Sequence, residues 1–149
     1  MPEKRLGQLN YAQMEATFRT NTFGPALVLA HFAPLLPKQG RGLLAVLSAK
    51  VGSIGDNRLG GWYSYRASKA ALNMLVKTAS IEVARTHPQA VLVALHPGTV
   101  NSALSAPFNG AEIGRPAADA AGDMLRVLDG LPVEETGCFY AYSGDKLPW

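Results

Sequence analysis

The sequence of 149 residues contains a single cysteine and no long apolar run. Cys138 alone excludes an internal disulfide and leaves no cysteine pair for a zinc site, and the three histidines show no metal-ligand spacing. No stretch approaches the roughly 20 apolar residues of a membrane span, and the first residues lack the apolar core of a secretory signal. We therefore expect no bound metal, no membrane association and a cytoplasmic location.

Charge is also scarce, with 14 basic and 11 acidic residues and a net charge of +3. The only adjacent basic pair is Lys4-Arg5, directly after the acid Glu3. Because a nucleic-acid footprint needs clustered basic charge, we expect no nucleic-acid partner. The hydrophobic fraction of 48% is typical of one globular domain, which we place at residues 1–149.

Three stretches carry the apolar spacing of helices. Apolar residues from Tyr11 to about Leu36 recur every three or four positions, which predicts one long helix with a kink near Gly24-Pro25. The segment from Trp62 to Arg85 predicts a second helix with a broad apolar face. The alanine-rich segment from Pro116 to about Leu128 predicts a third, with proline in its first turn.

Three short apolar runs predict strands between and after these helices. Leu43–Leu47 and Ala90–Leu95 are continuously apolar, which is typical of parallel strands buried on both faces, and Cys138–Tyr142 indicates a last strand. The alternation of helix and strand predicts an α/β fold with helices covering a parallel sheet. Three strands and three main helices make a thin sheet, so the sequence resembles half of a doubly wound domain.

Tyr65 and Lys69 are four positions apart in the second predicted helix, so their side chains share one face. A phenol with a pKa of about 10 is a poor base. A nearby ammonium lowers that pKa by roughly 1 to 3 units and makes the phenol usable near neutral pH. Tyr142 and Lys146 have the same spacing, but the intervening Ser143-Gly144-Asp145 disfavours a helix. An isolated tyrosine and lysine at this spacing could also be two exposed surface residues. The motifs around Tyr65 and Lys69 decide between this interpretation and an acid and base pair.

The motifs around this pair resemble one family. Ser48–Gly55 follows the first strand, Trp62–Asn73 opens the second helix, and Pro97-Gly98-Thr99 follows the second strand. In this order they resemble the short-chain dehydrogenase/reductase superfamily. Three segments are similar to its C-factor and sniffer-type carbonyl reductase branch: Val51–Gly55, Trp62–Arg66 and Gly144–Trp149.

The resemblance implies an NAD(P)-dependent oxidoreductase that interconverts carbonyl and alcohol groups. Tyr65 corresponds to the family's general acid and base, and Lys69 to the residue that lowers its pKa and holds the nicotinamide ribose. Asn21 corresponds to the asparagine that positions a water in the proton relay. The Pro97–Thr99 turn corresponds to the one that approaches the nicotinamide, where Gly98 lets backbone come close.

The family's serine motif is altered in this chain. The resemblance implies two serines after the first strand, the second of which polarises the substrate carbonyl, but the sequence here is Ser48-Ala49. Either Ser48 or Ser53 takes over this role or the contact is weakened, and we favour Ser48. Its alternative role is to satisfy backbone groups in the turn. Loss of one oxyanion donor costs on the order of 100 to 1000-fold in rate in other enzymes.

The glycine-rich turn of a dinucleotide site is missing. Gly40-Arg41-Gly42 precedes a strand instead of following one, and Gly52–Gly55 follows a strand but lacks the third glycine at the proper spacing. We therefore expect a partial Rossmann-like domain, truncated at its N-terminus, that holds the catalytic half without the first nucleotide-binding half. The choice between NAD and NADP stays open. The alternative function is an inactive fragment or a signalling or interaction protein of the C-factor type.

Two further expectations concern the substrate and the assembly. Residues 98–114 show no periodicity and are predicted to close over the substrate. Leu104, Pro107 and Phe108 indicate a hydrophobic carbonyl or alcohol substrate, with a loop packed on the core as the alternative. In the resembling family the two long helices meet their copies across a dimer axis, so a homo-oligomer is expected for the full-length protein.

Overall fold

The computed structural model describes residues 2–103, 105–106 and 110–149, which form an α/β fold. The helices are α1 (Tyr11–Phe18), α2 (Gly24–Phe32), α3 (Tyr63–Ala84), α4 (Gly110–Ile113) and α5 (Ala117–Gly130). The strands are β1 (Gly42–Leu47), β2 (Ala90–His96), β3 (Phe139–Ala141) and β4 (Lys146–Leu147).

The first predicted helix is interrupted in the structure. A π-helical turn at Arg19–Phe23 separates α1 from α2, and a 3₁₀ turn ends the segment at Leu35. The irregularity therefore lies just before Gly24-Pro25. Pro25 falls in the first turn of α2, where its missing N–H costs little. The π turn fits an extra residue into one turn, which changes the direction of the side chains on it.

The sheet has the strand order β1-β2-β3-β4. β1 pairs with β2 in parallel from Gly42↔Ala90 to Leu47↔Leu95, and β2 also pairs with β3 in parallel. β4 pairs antiparallel with β3. The sheet thus has four strands where three were predicted, because a two-residue strand is too short to leave a sequence pattern.

β2 and β1 differ in burial. Residues 90–95 of β2 are buried throughout. The prediction that Leu43–Leu47 is buried on both faces is wrong for the described chain: residues 43–46 are half-buried, and Leu47 is 56% exposed. The reason is position, since β1 is an edge strand of this sheet and has a neighbour on one side only.

Alternate side chains of β2 enter two apolar clusters on opposite faces of the sheet. The cluster facing α2 and α3 contains Leu29, Leu72, Val76, Leu92, Ala94 and Phe139. The other cluster contains Val91, Val93, Leu95, Leu128, Leu131 and Tyr140. Within the described ranges, no helix combines the length and apolar character needed to cross a bilayer.

A pair of substitutions on α3 tests this packing. Leu72 is 0% exposed and Met74 is 66% exposed, although they are two residues apart. Leu72→Ala leaves a cavity under the sheet and is expected to lower the free energy of unfolding by about 2 to 5 kcal/mol. Met74→Ala is expected to change it by less than about 0.5 kcal/mol. Urea unfolding measures both, and equal losses would contradict the packing of α3 described above.

Candidate active site

Two parallel strands end at the same edge of the sheet. β1 ends at Leu47 and β2 at His96, so the segments that follow them, starting at Ser48 and Pro97, leave from neighbouring positions. In open parallel sheets, ligands bind outside the carboxyl ends of the strands. This edge is therefore where the chemistry-bearing residues are expected to meet.

The turn after β1 brings α3 to this edge. A Cβ placed on Gly52 would lie 2.6 Å from the Cβ of Lys69, so only glycine allows the turn to pack directly on α3. Arg66 reinforces the contact by donating from Nη1 to the carbonyl oxygen of Val51 at 3.1 Å. Gly52 thus permits close packing between a turn and a helix.

Tyr65 and Lys69 lie in the first two turns of α3, and both are half-buried. The Tyr65 ring packs beside Trp62, with 6.2 Å between ring centroids. Lys69 Nζ donates to the carbonyl oxygen of Leu47 at 3.1 Å, which directs the ammonium to the end of β1. Helix α3 therefore delivers one phenol and one ammonium near the sheet edge.

The π turn places Asn21 against the same helix. Asn21 Nδ2 donates to Ser68 Oγ at 3.2 Å, and Ser68 Oγ donates to the carbonyl oxygen of Tyr65 at 2.8 Å. The neighbouring Thr22, which is buried, donates from Oγ1 to the carbonyl oxygen of Ser68 at 2.9 Å. These bonds attach the π turn to α3 between Tyr65 and Lys69.

Tyr65, Lys69 and Asn21 line one cavity of about 430 Å³. The remaining walls come from the N-terminal segment, from α1 and the π turn, and from the first turn of α3: Pro2, Glu3, Gln13, Ala16, Thr17, Thr20 and Ser64. The family resemblance predicts a joint role for these three residues, which come from two separate parts of the chain. The structure brings them to the same cavity.

Burial shifts the pKa of both groups in α3. Desolvation raises the pKa of the Tyr65 phenol above its ordinary value and lowers the pKa of the Lys69 ammonium. The downward shift of the Tyr65 pKa expected from Lys69 is therefore not present in this arrangement. The physical reason is that burial dominates, while Lys69 Nζ is directed to the backbone of Leu47.

Both candidate serines are buried and already hydrogen-bonded, so the role of Ser48 in orienting a carbonyl stays a prediction. Ser48 is buried, and its Oγ donates to Asn73 Oδ1 at 2.6 Å. Ser53 is buried too, and its Oγ accepts from the N–H of Asp56 at 3.0 Å. Both hydroxyls thus hold local structure, and Ala49, at the family's serine position, carries no hydroxyl.

The Pro97–Thr99 turn lies at the end of β2, outside the cavity that Tyr65 lines. Gly98 has a φ of +77°, a backbone conformation that residues other than glycine rarely adopt. A Cβ on Gly98 would lie 2.5 Å from the ring of Tyr142, so the ring already fills the space that glycine leaves. Contact between this turn and a nicotinamide stays a prediction.

The structure describes the predicted closing segment, residues 98–114, except for residues 104 and 107–109. Leu104, Pro107 and Phe108 lie outside the described residues. The ends of the segment meet, because Val100 and Arg115 form a parallel bridge. Arg115 also stacks over Tyr142, with 4.4 Å from its guanidinium carbon to the ring centroid.

The sequence analysis missed two residues that line the cavity, Glu3 and Ser64, and Ser68, which bonds to Asn21. The carboxylate of Glu3 accepts hydrogen bonds from Ser64, although 61 positions separate them. No spacing rule connects residues so far apart. Ser64 and Ser68 directly precede Tyr65 and Lys69, and this position was the only sign in the sequence that they lie near the site.

Comparison with known proteins agrees with the motifs. The sequence model of the short chain dehydrogenase family matches residues 2–112. The chain is 39% identical over 145 residues to C-signal from Myxococcus xanthus and covers 83% of it. It is 33% identical over 144 residues to 1-hydroxy-2-glutathionyl-2-methyl-3-butene dehydrogenase from Rhodococcus and covers 62% of that protein. Each alignment includes 97% of this chain.

Solved structures share the whole of the described fold. Carbonyl reductase Sniffer of D. melanogaster superposes with a TM-score of 0.86 at 26% identity, over 100% of this chain and 62% of Sniffer. NADPH-bound carbonyl reductase from chicken fatty liver gives a TM-score of 0.81 at 30% identity, again over 100% of this chain and 62% of that chain. The chain therefore spans about three fifths of these structures and belongs to the short-chain dehydrogenase family.

Proposed function

We propose that the protein reduces carbonyl groups to alcohols, and oxidises the alcohols in reverse, with an NAD(P) cofactor. The observation that carries the proposal is the shared cavity of Tyr65, Lys69 and Asn21. An NADPH-bound carbonyl reductase among the similar structures supports the cofactor class. The choice between NAD and NADP is left open, and a hydrophobic carbonyl or alcohol is the proposed substrate.

The reduced cofactor, when bound, would supply the hydride that the carbonyl carbon needs. Tyr65 then donates its phenolic proton to the resulting alkoxide oxygen, which completes the alcohol. Tyr65 carries this proton at neutral pH, because its ordinary pKa lies well above 7 and partial burial raises the pKa further. Solvent returns a proton to Tyr65 through the cavity, where Asn21 holds a water.

Lys69 has two proposed tasks at the strand edge. Its ammonium would hold the ribose hydroxyls beside the nicotinamide, and its positive charge would stabilise the phenolate that forms on Tyr65. The present bond from Lys69 Nζ to the Leu47 carbonyl places the ammonium at the end of β1. The polar groups at this edge thus fit the nicotinamide end of the cofactor. A glycine-rich strand-to-helix turn for the pyrophosphate is absent from the described ranges.

A second candidate function follows from the 39% identity to C-signal. In this alternative the chain is an inactive fragment or acts in signalling or through protein contacts, without turnover. A folded chain that neither binds NADPH, as followed by nicotinamide fluorescence, nor oxidises it would favour the alternative. Tight NADPH binding would instead favour the reductase.

The proposed homo-oligomer has support on the surface of α2 and α3. Between these helices lies a groove of about 540 Å³ with mostly apolar walls. Several apolar side chains on these two helices are exposed: Leu27, Val28, Phe32 and Ile81. Exposed apolar patches of this kind mark protein contacts. Sedimentation of the protein tests the proposal, and a monomer at micromolar concentration would contradict it.

Tyr65→Phe removes the proposed proton donor and keeps the ring. We expect a loss of about 100 to 10,000-fold in the NADPH-dependent reduction of 4-nitrobenzaldehyde, because general acid catalysis contributes that much. Tyr63→Phe is the matched control, since Tyr63 lies two residues earlier on α3 and 37% of it is exposed. The control is expected to stay within about two-fold of the wild type. Activity that survives Tyr65→Phe would remove Tyr65 from the mechanism.

Ser48→Ala and Ala49→Ser separate the two readings of the serine motif. Because Ser48 is bonded to Asn73, we expect Ser48→Ala to lower kcat by less than about ten-fold. Ala49→Ser restores a hydroxyl at the family's position and is expected to raise kcat. The same aldehyde assay measures both variants. A loss of about 100-fold or more for Ser48→Ala would instead make Ser48 the oxyanion donor.

A further inference from the structure

Glu3 is a carboxylate buried beside the proposed catalytic tyrosine. Only 3% of the residue is exposed. One carboxylate oxygen accepts from the hydroxyl of Ser64, and the other accepts from the backbone N–H of Ser64 at 3.2 Å. The carbonyl oxygen of Glu3 accepts from the N–H of Trp62 at 2.5 Å. Three hydrogen bonds therefore join the N-terminal segment to the start of α3.

The start of α3 needs such a partner. The first N–H groups of any helix have no partner within the helix, and a side-chain oxygen just before the helix usually accepts from them. Trp62 occupies that position, in the left-handed conformation with φ 54°, and an indole has no acceptor oxygen. Glu3 supplies the oxygen from elsewhere in the chain, and negative charge at this end is favourable to the helix dipole.

The bonds from Ser64 also keep the carboxylate charged. Burial alone would raise the pKa of Glu3. Hydrogen bonds from Ser64 and from the backbone N–H of Glu3, together with the positive charge of the N-terminus, outweigh burial and hold the pKa below its ordinary value. At neutral pH the buried group is thus an anion with both oxygens bonded. A neutral amide could not accept from both donors in the same way.

We infer that Glu3 is a positioning residue for Tyr65. The carboxylate fixes Ser64 in the first turn of α3, and Tyr65 is the next residue, with Glu3, Ser64 and Tyr65 in the wall of one cavity. A first turn held in this way points the phenol at a constant position relative to Asn21. This inference rests on the proposed function, in which Tyr65 donates a proton.

Glu3→Gln tests the inference by turnover. The amide keeps the size of the side chain but turns one acceptor into a donor that faces a donor of Ser64. We expect kcat for NADPH-dependent reduction of 4-nitrobenzaldehyde to fall about ten-fold, with KM for NADPH within about two-fold. Glu15→Gln removes an equal charge from the exposed face of α1 and is expected to change neither constant.

Combining the variants distinguishes positioning from general loss of structure. Ser64→Ala removes one of the two donors, so Glu3→Gln together with Ser64→Ala is expected to be no slower than Glu3→Gln alone. Ser64→Ala also serves where Glu3→Gln does not fold, and is then expected to lower kcat several-fold at constant KM. Losses that multiply in the double variant, or an unchanged kcat in active Glu3→Gln protein, would overturn the inference.

Hydrogen exchange gives a readout that needs no turnover. The amides of residues 64–66 are expected to exchange at least ten-fold faster in Glu3→Gln, while those in the middle of α3 stay unchanged. Faster exchange in a chain whose wild type is inactive would reject the proposed function and leave the Glu3 contact standing. Unchanged exchange at residues 64–66 would reject the positioning role itself.

Discussion

The attachment of the π turn to Ser68 is the contact on which the site depends. Thr22 donates to the backbone of Ser68, and Asn21 donates to its hydroxyl, so two neighbouring side chains of the turn hold one residue of α3. Ser68 lies between Tyr65 and Lys69, and a shift of the turn would move Asn21 away from both. The irregular helix is thus a condition for bringing the three groups together, since a regular helix would direct these side chains elsewhere.

Much of the fold could be predicted because its central elements are long and strongly patterned. α3 was expected at Trp62–Arg85 and is found at Tyr63–Ala84. The wrong predictions concern strands, because the pattern of apolar residues in a strand does not show which strands pair with it. An apolar run does not show whether a strand lies at the centre or at the edge of a sheet, so the burial of β1 was overestimated. The two-residue strand β4 is defined by its antiparallel pairing with β3, and two residues are too few to show a pattern of their own.

Some residues of the site could be predicted from the sequence and others could not. The spacing of Tyr65 and Lys69 follows from helix geometry, whereas Asn21 was identified only by its resemblance to a family motif. The contact of Glu3 with Ser64 depends on how the N-terminal segment docks, and a sequence read element by element contains no sign of it. The raised pKa of Tyr65 likewise comes from burial in the folded chain, which the spacing to Lys69 did not reveal.

Asn21 and Tyr65 are proposed to act on the same proton, and a double-mutant cycle tests this proposal most directly. Steady-state kcat for NADPH-dependent reduction of 4-nitrobenzaldehyde would be compared for Asn21→Ala, Tyr65→Phe and the combined variant. Asn21→Ala alone is expected to be slower than the wild type, because Asn21 acts when solvent returns a proton to Tyr65 after each turnover. If the water held by Asn21 serves only the proton of Tyr65, the combined variant is as slow as Tyr65→Phe alone, within about two-fold. Losses that multiply would show that the two residues act independently, and would contradict the account.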